Sequence, residues 1–140
     1  MTPQIALTDA EDDALRDVLH NGLRNYNDEK IGRNDRQTLT IRVDDPESGE
    51  PIGGLMGRSS LGLLFIDFFY LPKSLRGSGV GSRILAMAEE EGRRRGCSKA
   101  VLYTISFQAP EFYKRYGWRV FGEIPCDPPG TSRIFMTKEL

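Results

Sequence analysis

Histidine is nearly missing from this 140-residue chain: His20 stands alone. That excludes histidine-rich metal sites and leaves Ser-His-Asp and Cys-His nucleophilic catalysis without a base to spare. Cysteine is scarce as well. Cys97 and Cys126 make neither a disulfide framework nor a CxxC metal clip, so the expectation for both is a reduced thiol with a packing role. Long hydrophobic runs are absent, because the longest, Leu61 to Leu71, has 11 residues and contains Asp67, too few to span a bilayer. No basic-then-apolar leader opens the chain, and Met1-Thr2-Pro3-Gln4 reads as a cytosolic, cytoplasmic start. Charge of one sign is lacking too: the net of −1 argues against a general nucleic-acid or membrane-surface binder.

What is present points to one ordinary folded domain. A hydrophobic share of 39% beside 28% charged residues excludes collagen, coiled-coil and disordered classes. The length suits a single domain over residues 1–140, with a core that needs no staple. The charge is unevenly spread. Residues 1–50 carry 12 acidic and 6 basic residues, whereas residues 51–140 carry 8 and 13. An acidic half and a basic half suit a cationic and an anionic ligand respectively, although solvated faces also differ by chance.

Periodicity orders the elements. Thr8-Asp9-Ala10-Glu11 reads as a capping box, followed by Leu15, Val18, Leu19, Leu23 and Tyr26 at helical spacing. That pattern dissolves at Asn27-Asp28-Glu29-Lys30, before Gly32. Leu39, Ile41 and Val43 alternate as in a half-buried strand, and the turn residues 44–50 lead to a partner strand from Pro51. Leu63 to Leu71 is apolar nearly throughout, as in a strand covered on both faces. After Pro72 and a glycine-rich loop, Val80, Ile84, Leu85 and Ala88 form the buried stripe of a second helix. Glu89–Arg93, Glu90–Arg94 and Glu91–Arg95 are expected as ion pairs on its outer side. A strand (Ala100 to Ser106), a short helix after Pro110 and two final strands complete a mixed α/β domain with one sheet.

The loop Leu75-Arg76-Gly77-Ser78-Gly79-Val80-Gly81-Ser82 sits between a strand and a helix start. Free backbone amides and the positive helix end favour an anion there, and glycines permit close approach, so pyrophosphate is the natural guest. No lysine follows Gly81 as a Walker A loop requires. Ser82 occupies the position of a dinucleotide fingerprint's third glycine, and Lys99 stands where the acidic residue is needed. Arg76, Gly79 and Gly81 do fit Arg/Gln-x-x-Gly-x-Gly/Ala. This resembles motif A of the GNAT superfamily of acyl-CoA-dependent N-acetyltransferases. The block from Ser106 to Trp118, with Ala109, Tyr113 and Gly117 in place, is similar to the family's motif B; Ser106 stands where Asn is common, and Trp118 for Phe. The likeness covers residues 63–124.

The resemblance implies a GNAT-like fold, with a splayed central sheet and flanking helices, and acetyl-CoA as co-substrate in its cleft. It places the pyrophosphate on Gly77, Ser78, Gly79, Val80, Gly81 and Ser82, with Arg76 neutralising charge. The pantetheine arm would run beside Phe69 and Tyr70, and Ser106 would reach it with a shorter side chain than Asn. Tyr113 is implied as the general acid for the departing thiolate; as an ordinary phenol near pKa ~10 it is roughly matched to a thiol. Asp67, the one ionisable residue in the apolar run, is the candidate base, its carboxyl expected to rise on burial; a structural hydrogen bond is the other reading. Glu111 is a rival base, expected rather to cap the short helix, and His20 is expected to be a solvated helix residue rather than a base. No metal is expected.

The implied activity is acetyl transfer from acetyl-CoA to a primary amine of a small molecule, by direct attack in a ternary complex. The alternatives are a peptide amine as acceptor, a non-catalytic acyl-CoA-binding module, or an interaction domain that keeps only the fold. The resemblance also carries the expectation of a homodimer.

Overall fold

Asp12 starts the first helix. Its carboxylate accepts from the Leu15 amide at 2.8 Å, and α1 runs Asp13–Ile31. The expected Thr8 box does not form. Thr8 accepts from the Ala10 amide at 3.1 Å instead, because an ionised acceptor at Asp12 complements the helix dipole better than a hydroxyl four residues earlier. The helix continues through the polar run 27–30 to Gly32, whose left-handed backbone (φ 79°) lets its N–H reach the Asp28 carbonyl. The apolar stripe of α1 is exposed, from 51% at Leu15 to 67% at Val18.

The computed structural model describes residues 1–33 and 35–140, and forms two units, Met1–Asn34 and Asp35–Leu140. The second unit holds strands β1 (Gln37–Asp44), β2 (Pro51–Ser60), β3 (Leu63–Tyr70), β4 (Lys99–Ile105), β5 (Arg119–Pro125) and β6 (Ser132–Glu139). Helix α2 (Val80–Arg94) follows β3 after a 3-10 turn at Lys73–Leu75, and α3 (Pro110–Arg115) follows β4. The strands form one sheet in the order β1-β2-β3-β4-β6-β5, with only the β3–β4 pair parallel. This is the element order that the periodicity predicts. Among the described residues no helix is long and apolar enough to cross a membrane.

The parallel pair is short. Leu63, Leu64 and Phe65 face Lys99, Ala100 and Val101, after which β3 runs on to Tyr70 without pairing to β4. The sheet therefore splays at the carboxyl ends of its two central strands, where a ligand crevice is expected in such sheets. Alternation along the strands places Leu39, Leu55, Leu64, Ile66, Leu102, Ile134 and Met136 in one buried core with Ile84, Leu85 and Ala88 of α2.

Two expectations change here, and β3 carries a bulge. Within the second unit no element covers the outer side of β3, where Phe68 is 73% and Tyr70 59% exposed, so an unbroken apolar run did not bring burial on both faces of that unit's sheet. β2 and β3 are also bulged, with a register shift between Met56 and Gly57 that leaves Asp67 out of the pairing. Glycine is required at 57, since a Cβ there would lie 2.2 Å from the Phe65 carbonyl oxygen. Lastly, Glu89 is not on the outer side of α2 but buried at 5% exposure. Its carboxylate accepts from Trp118 Nε1 at 3.2 Å and Lys138 Nζ at 2.6 Å. Arg95 also turns inward, donating to the Gln37 and Thr38 carbonyls while it pairs with Glu91.

Candidate active site

A cleft of about 790 Å³ opens where β3 and β4 part, lined by the end of β3, the loop before α2 and the start of α3. Its first wall is main chain. Gly77 (φ 77°) and Gly79 (φ 87°) adopt left-handed backbone, and Gly79 is the N-cap of α2. The amides of Val80, Gly81 and Ser82 lie in the first turn, where they have no intrahelical acceptor, and no acidic side chain competes there. Hydroxyl groups lock the loop: Ser78 donates to the Leu75 carbonyl at 2.5 Å and Ser82 to that of Gly79 at 3.0 Å. Arg76 Nε donates to the Leu71 carbonyl at 3.0 Å, and its guanidinium lies 5.8 Å from the centre of the Tyr70 ring. The other guanidinium N–H groups remain as donors beside the cleft. Positive helix end, glycine main chain and an oriented arginine together fit a pyrophosphate.

The second wall is side chain. Pro110 occupies the first turn of α3, where its missing N–H costs nothing. One turn on, Tyr113 is 8% exposed, packed against the rings of Phe112, Trp118 and Phe69 at centroid distances of 5.3, 5.9 and 6.5 Å. Its carbonyl accepts from the Trp118 amide at 3.1 Å, which closes the turn after the helix. Burial pushes the Tyr113 phenol up to about 12, in place of the ordinary value expected from sequence. The phenol lines the cleft and holds its proton throughout the neutral range.

Of the residues singled out in the sequence, Phe69, Tyr70, Arg76, Gly77, Gly79, Gly81, Ser82 and Tyr113 line this cleft. Ser78 supports the loop from behind, and Val80 packs against the core. Ser106 is not brought to the cleft: its hydroxyl accepts from the Ser132 amide at 3.0 Å and ties β4 to β6. Asp67 does not meet the premise of burial, since its side chain is 38% exposed and paired with Arg58. The Arg58 guanidinium itself lies 4.5 Å from the centre of the Phe65 ring. Glu111 makes no cap bond and pairs with Lys114 at 3.0 Å. His20 is an exposed residue of α1. Cys97 is a buried free thiol, pushed up by that burial, and Cys126 is free as well.

Gln108 was missed. Its side-chain oxygen accepts from the Thr104 hydroxyl and the Ile105 amide, each at 3.1 Å. A main-chain N–H can only donate, so the oxygen must face it, which leaves the NH₂ group of this cleft-lining side chain for a carbonyl ligand. The signal was available in motif B: Ser106 shortens the usual side chain, and an amide stands two residues later.

A site with one wall that fits a pyrophosphate and another that carries a protonated phenol suits acyl transfer from a nucleotide-bearing thioester. The model of the Acetyltransferase (GNAT) family matches residues 6–118. An acetyltransferase of Agrobacterium fabrum is 34% identical over 134 residues, 94% of this chain and 96% of the relative. The blasticidin-S acetyltransferase of Streptomyces morookaense is 41% identical over 95 residues, 67% of this chain and 70% of the relative. A crystal structure of an Agrobacterium tumefaciens protein assigned as an acetyltransferase superposes with a TM-score of 0.88 at 30% identity, covering 99% of this chain and all of the other. The chain belongs to the GNAT family of acetyltransferases, and acetyl-CoA is the acyl donor which that family implies.

Proposed function

We propose that this acetyltransferase acts on a primary amine of a small, cationic molecule, by direct attack while both substrates are bound. The observation that carries the reading is the shared cleft: the glycine loop and the buried Tyr113 phenol line one space of about 790 Å³. Bound acetyl-CoA supplies the thioester. Residues 77–82 and Arg76 hold its phosphates, and the edge of β3 beyond Phe65, which β4 leaves unpaired, offers main-chain groups to the arm. Gln108 donates to one of its carbonyls.

The neutral amine nitrogen forms the new C–N bond as the C–S bond breaks. Tyr113 gives its proton to the departing sulfur, and the amine's surplus proton leaves to water. At about 12 the phenol is a weaker acid than an ordinary thiol at ~8.5, so full transfer is uphill from a solvated thiolate. Burial of the sulfur beside Tyr113 would narrow that gap by raising the thiol as well, and Tyr113 works chiefly as a preformed donor to charge developing on sulfur.

Two facts support a small cationic acceptor. The relative named for blasticidin-S acts on a small molecule, and residues 1–50 carry 12 acidic against 6 basic residues. A panel of amines scored by release of free thiol tests the reading. Polyamines and amino-sugar amines are expected to react, with a kcat/KM that falls as salt rises. Turnover of peptide N-termini alone would refute the acceptor class. Acetyl-CoA binding with no thiol released by any amine would make the protein a sensing module.

A further inference from the structure

Glu89 is a buried carboxylate that nothing in the proposed reaction uses. It sits on α2 at 5% exposure, three turns along the helix whose start holds the phosphates. Its two oxygens reach different elements: one accepts from Trp118 Nε1 at 3.2 Å, the other from Lys138 Nζ at 2.6 Å. Arg93 adds a longer contact at 3.7 Å. Lys138 on β6 also donates to the Tyr116 carbonyl at 2.6 Å, at the C-terminal end of α3. Gly117 follows with φ 91°, and a Cβ there would lie 3.5 Å from the lysine's Cε. Trp118 closes the turn by donating its amide to the Tyr113 carbonyl and by packing its ring 5.9 Å from the Tyr113 ring.

Glu89 is thus the joint between the phosphate-binding helix and the turn that fixes Tyr113. A buried ion pair is a poor stabiliser, because desolvation offsets most of its attraction, but its directional bonds specify one arrangement. An apolar residue would fill this space without orienting the indole or capping α3. We propose that Glu89, through Lys138 and Trp118, is a positioning residue that sets Tyr113 at the distance from the glycine loop which acyl transfer requires. The inference rests on the reading of Tyr113 as the proton donor.

A double-mutant cycle tests it, with Glu89→Gln and Tyr113→Phe made singly and together and with kcat and acetyl-CoA Kd measured for each. Glu89→Gln keeps an acceptor for the indole and removes the charge that holds Lys138. It should lower kcat about tenfold, the scale of a small misplacement of a reacting group, and leave Kd within twofold. In the Tyr113→Phe background the same change should lower kcat by less than twofold, because there is no proton left to position. Independent, multiplying effects would overturn the proposal, as would an unchanged kcat or a Kd that rises in step with the loss. If Glu89→Gln does not fold, Trp118→Phe removes the indole donor, keeps an aromatic ring and goes through the same cycle with the same criteria. Should Tyr113→Phe alone leave kcat within threefold, the proton-donor reading fails, and this inference with it. If Tyr113→Phe is slow and Glu89→Gln is not, only this inference fails.

Discussion

On one wall of the cleft, residues 76–82 present main chain: left-handed glycines, first-turn amides and hydroxyl groups turned back onto carbonyls. On the other wall α3 presents side chains, with Tyr113 sunk among Phe69, Phe112 and Trp118. The loop is exposed and polar, and the anion binding proposed for it would come from peptide dipoles that no substitution of a side chain removes directly. The charged residues of α3 are exposed while Tyr113 is buried, and the chemistry proposed for this wall rests on that one hydroxyl. The difference teaches that the two halves should fail in separate ways. Damage to the loop should weaken the donor complex, and damage to Tyr113 should slow the reaction within an intact complex.

On the loop wall the largest break should come from Gly79→Val. Left-handed backbone costs an L-residue about 1–2 kcal/mol, and each lost amide contact to a charged oxygen removes about 1.5–3 kcal/mol. Acetyl-CoA affinity should drop about a hundredfold, which calorimetry reads directly, while Tyr113 keeps its surroundings. A variant that binds as before would place the phosphates elsewhere.

Next in size is an alkaline loss of stability that belongs to the Tyr113 wall alone. The folded phenol is raised to about 12 from 10.0 by burial, so the unfolded chain gives up this proton first. The stabilisation is whole below pH ~10 and disappears as pH rises towards ~12, amounting to about 2.7 kcal/mol at ~1.36 kcal/mol per pH unit. Denaturant melts of the parent and of Tyr113→Phe over that range should diverge by this amount; parallel curves would show that the phenol is not buried in solution.

The smallest effects sharpen the comparison between Ser106 and Gln108. Ser106→Ala removes an acceptor for the Ser132 amide and should cost about 1 kcal/mol of stability with KM for acetyl-CoA unchanged. Gln108→Ala should raise that KM about three- to tenfold, the worth of one ordinary hydrogen bond, in addition to the stability lost with its bonds from Thr104 and Ile105. If Ser106→Ala moves KM and Gln108→Ala does not, the two roles are exchanged.

The order of the elements, the glycine loop and the motif around Tyr113 were all legible in the sequence, since periodicity, caps and turns are written locally. What was not legible depends on partners distant in the chain. Glu89 looks like its neighbours Glu90 and Glu91, and its distant partners Trp118 and Lys138, 29 and 49 positions on, turn it inward. Asp67 looked buried because its neighbours are apolar; the bulge opposite Gly57 and the guanidinium of Arg58 place it in an exposed pair instead. Ser106 sat at a binding position of the motif, yet its hydroxyl serves the β6 amide that the fold brings to it. The same local logic misplaced the start of α1, where Thr8 and Asp12 both satisfy a capping pattern and the carboxylate prevails.

The separation of binding from chemistry is tested most directly by Tyr113→Phe in a single-turnover experiment, with acetyl-CoA Kd measured on the same preparation. The ring and its packing stay, and only the hydroxyl is lost. The rate of the acyl-transfer step should fall by ~10²–10⁴, the usual contribution of a general acid, with Kd within twofold. A rate within threefold of the parent, or a Kd raised more than tenfold, would contradict the account.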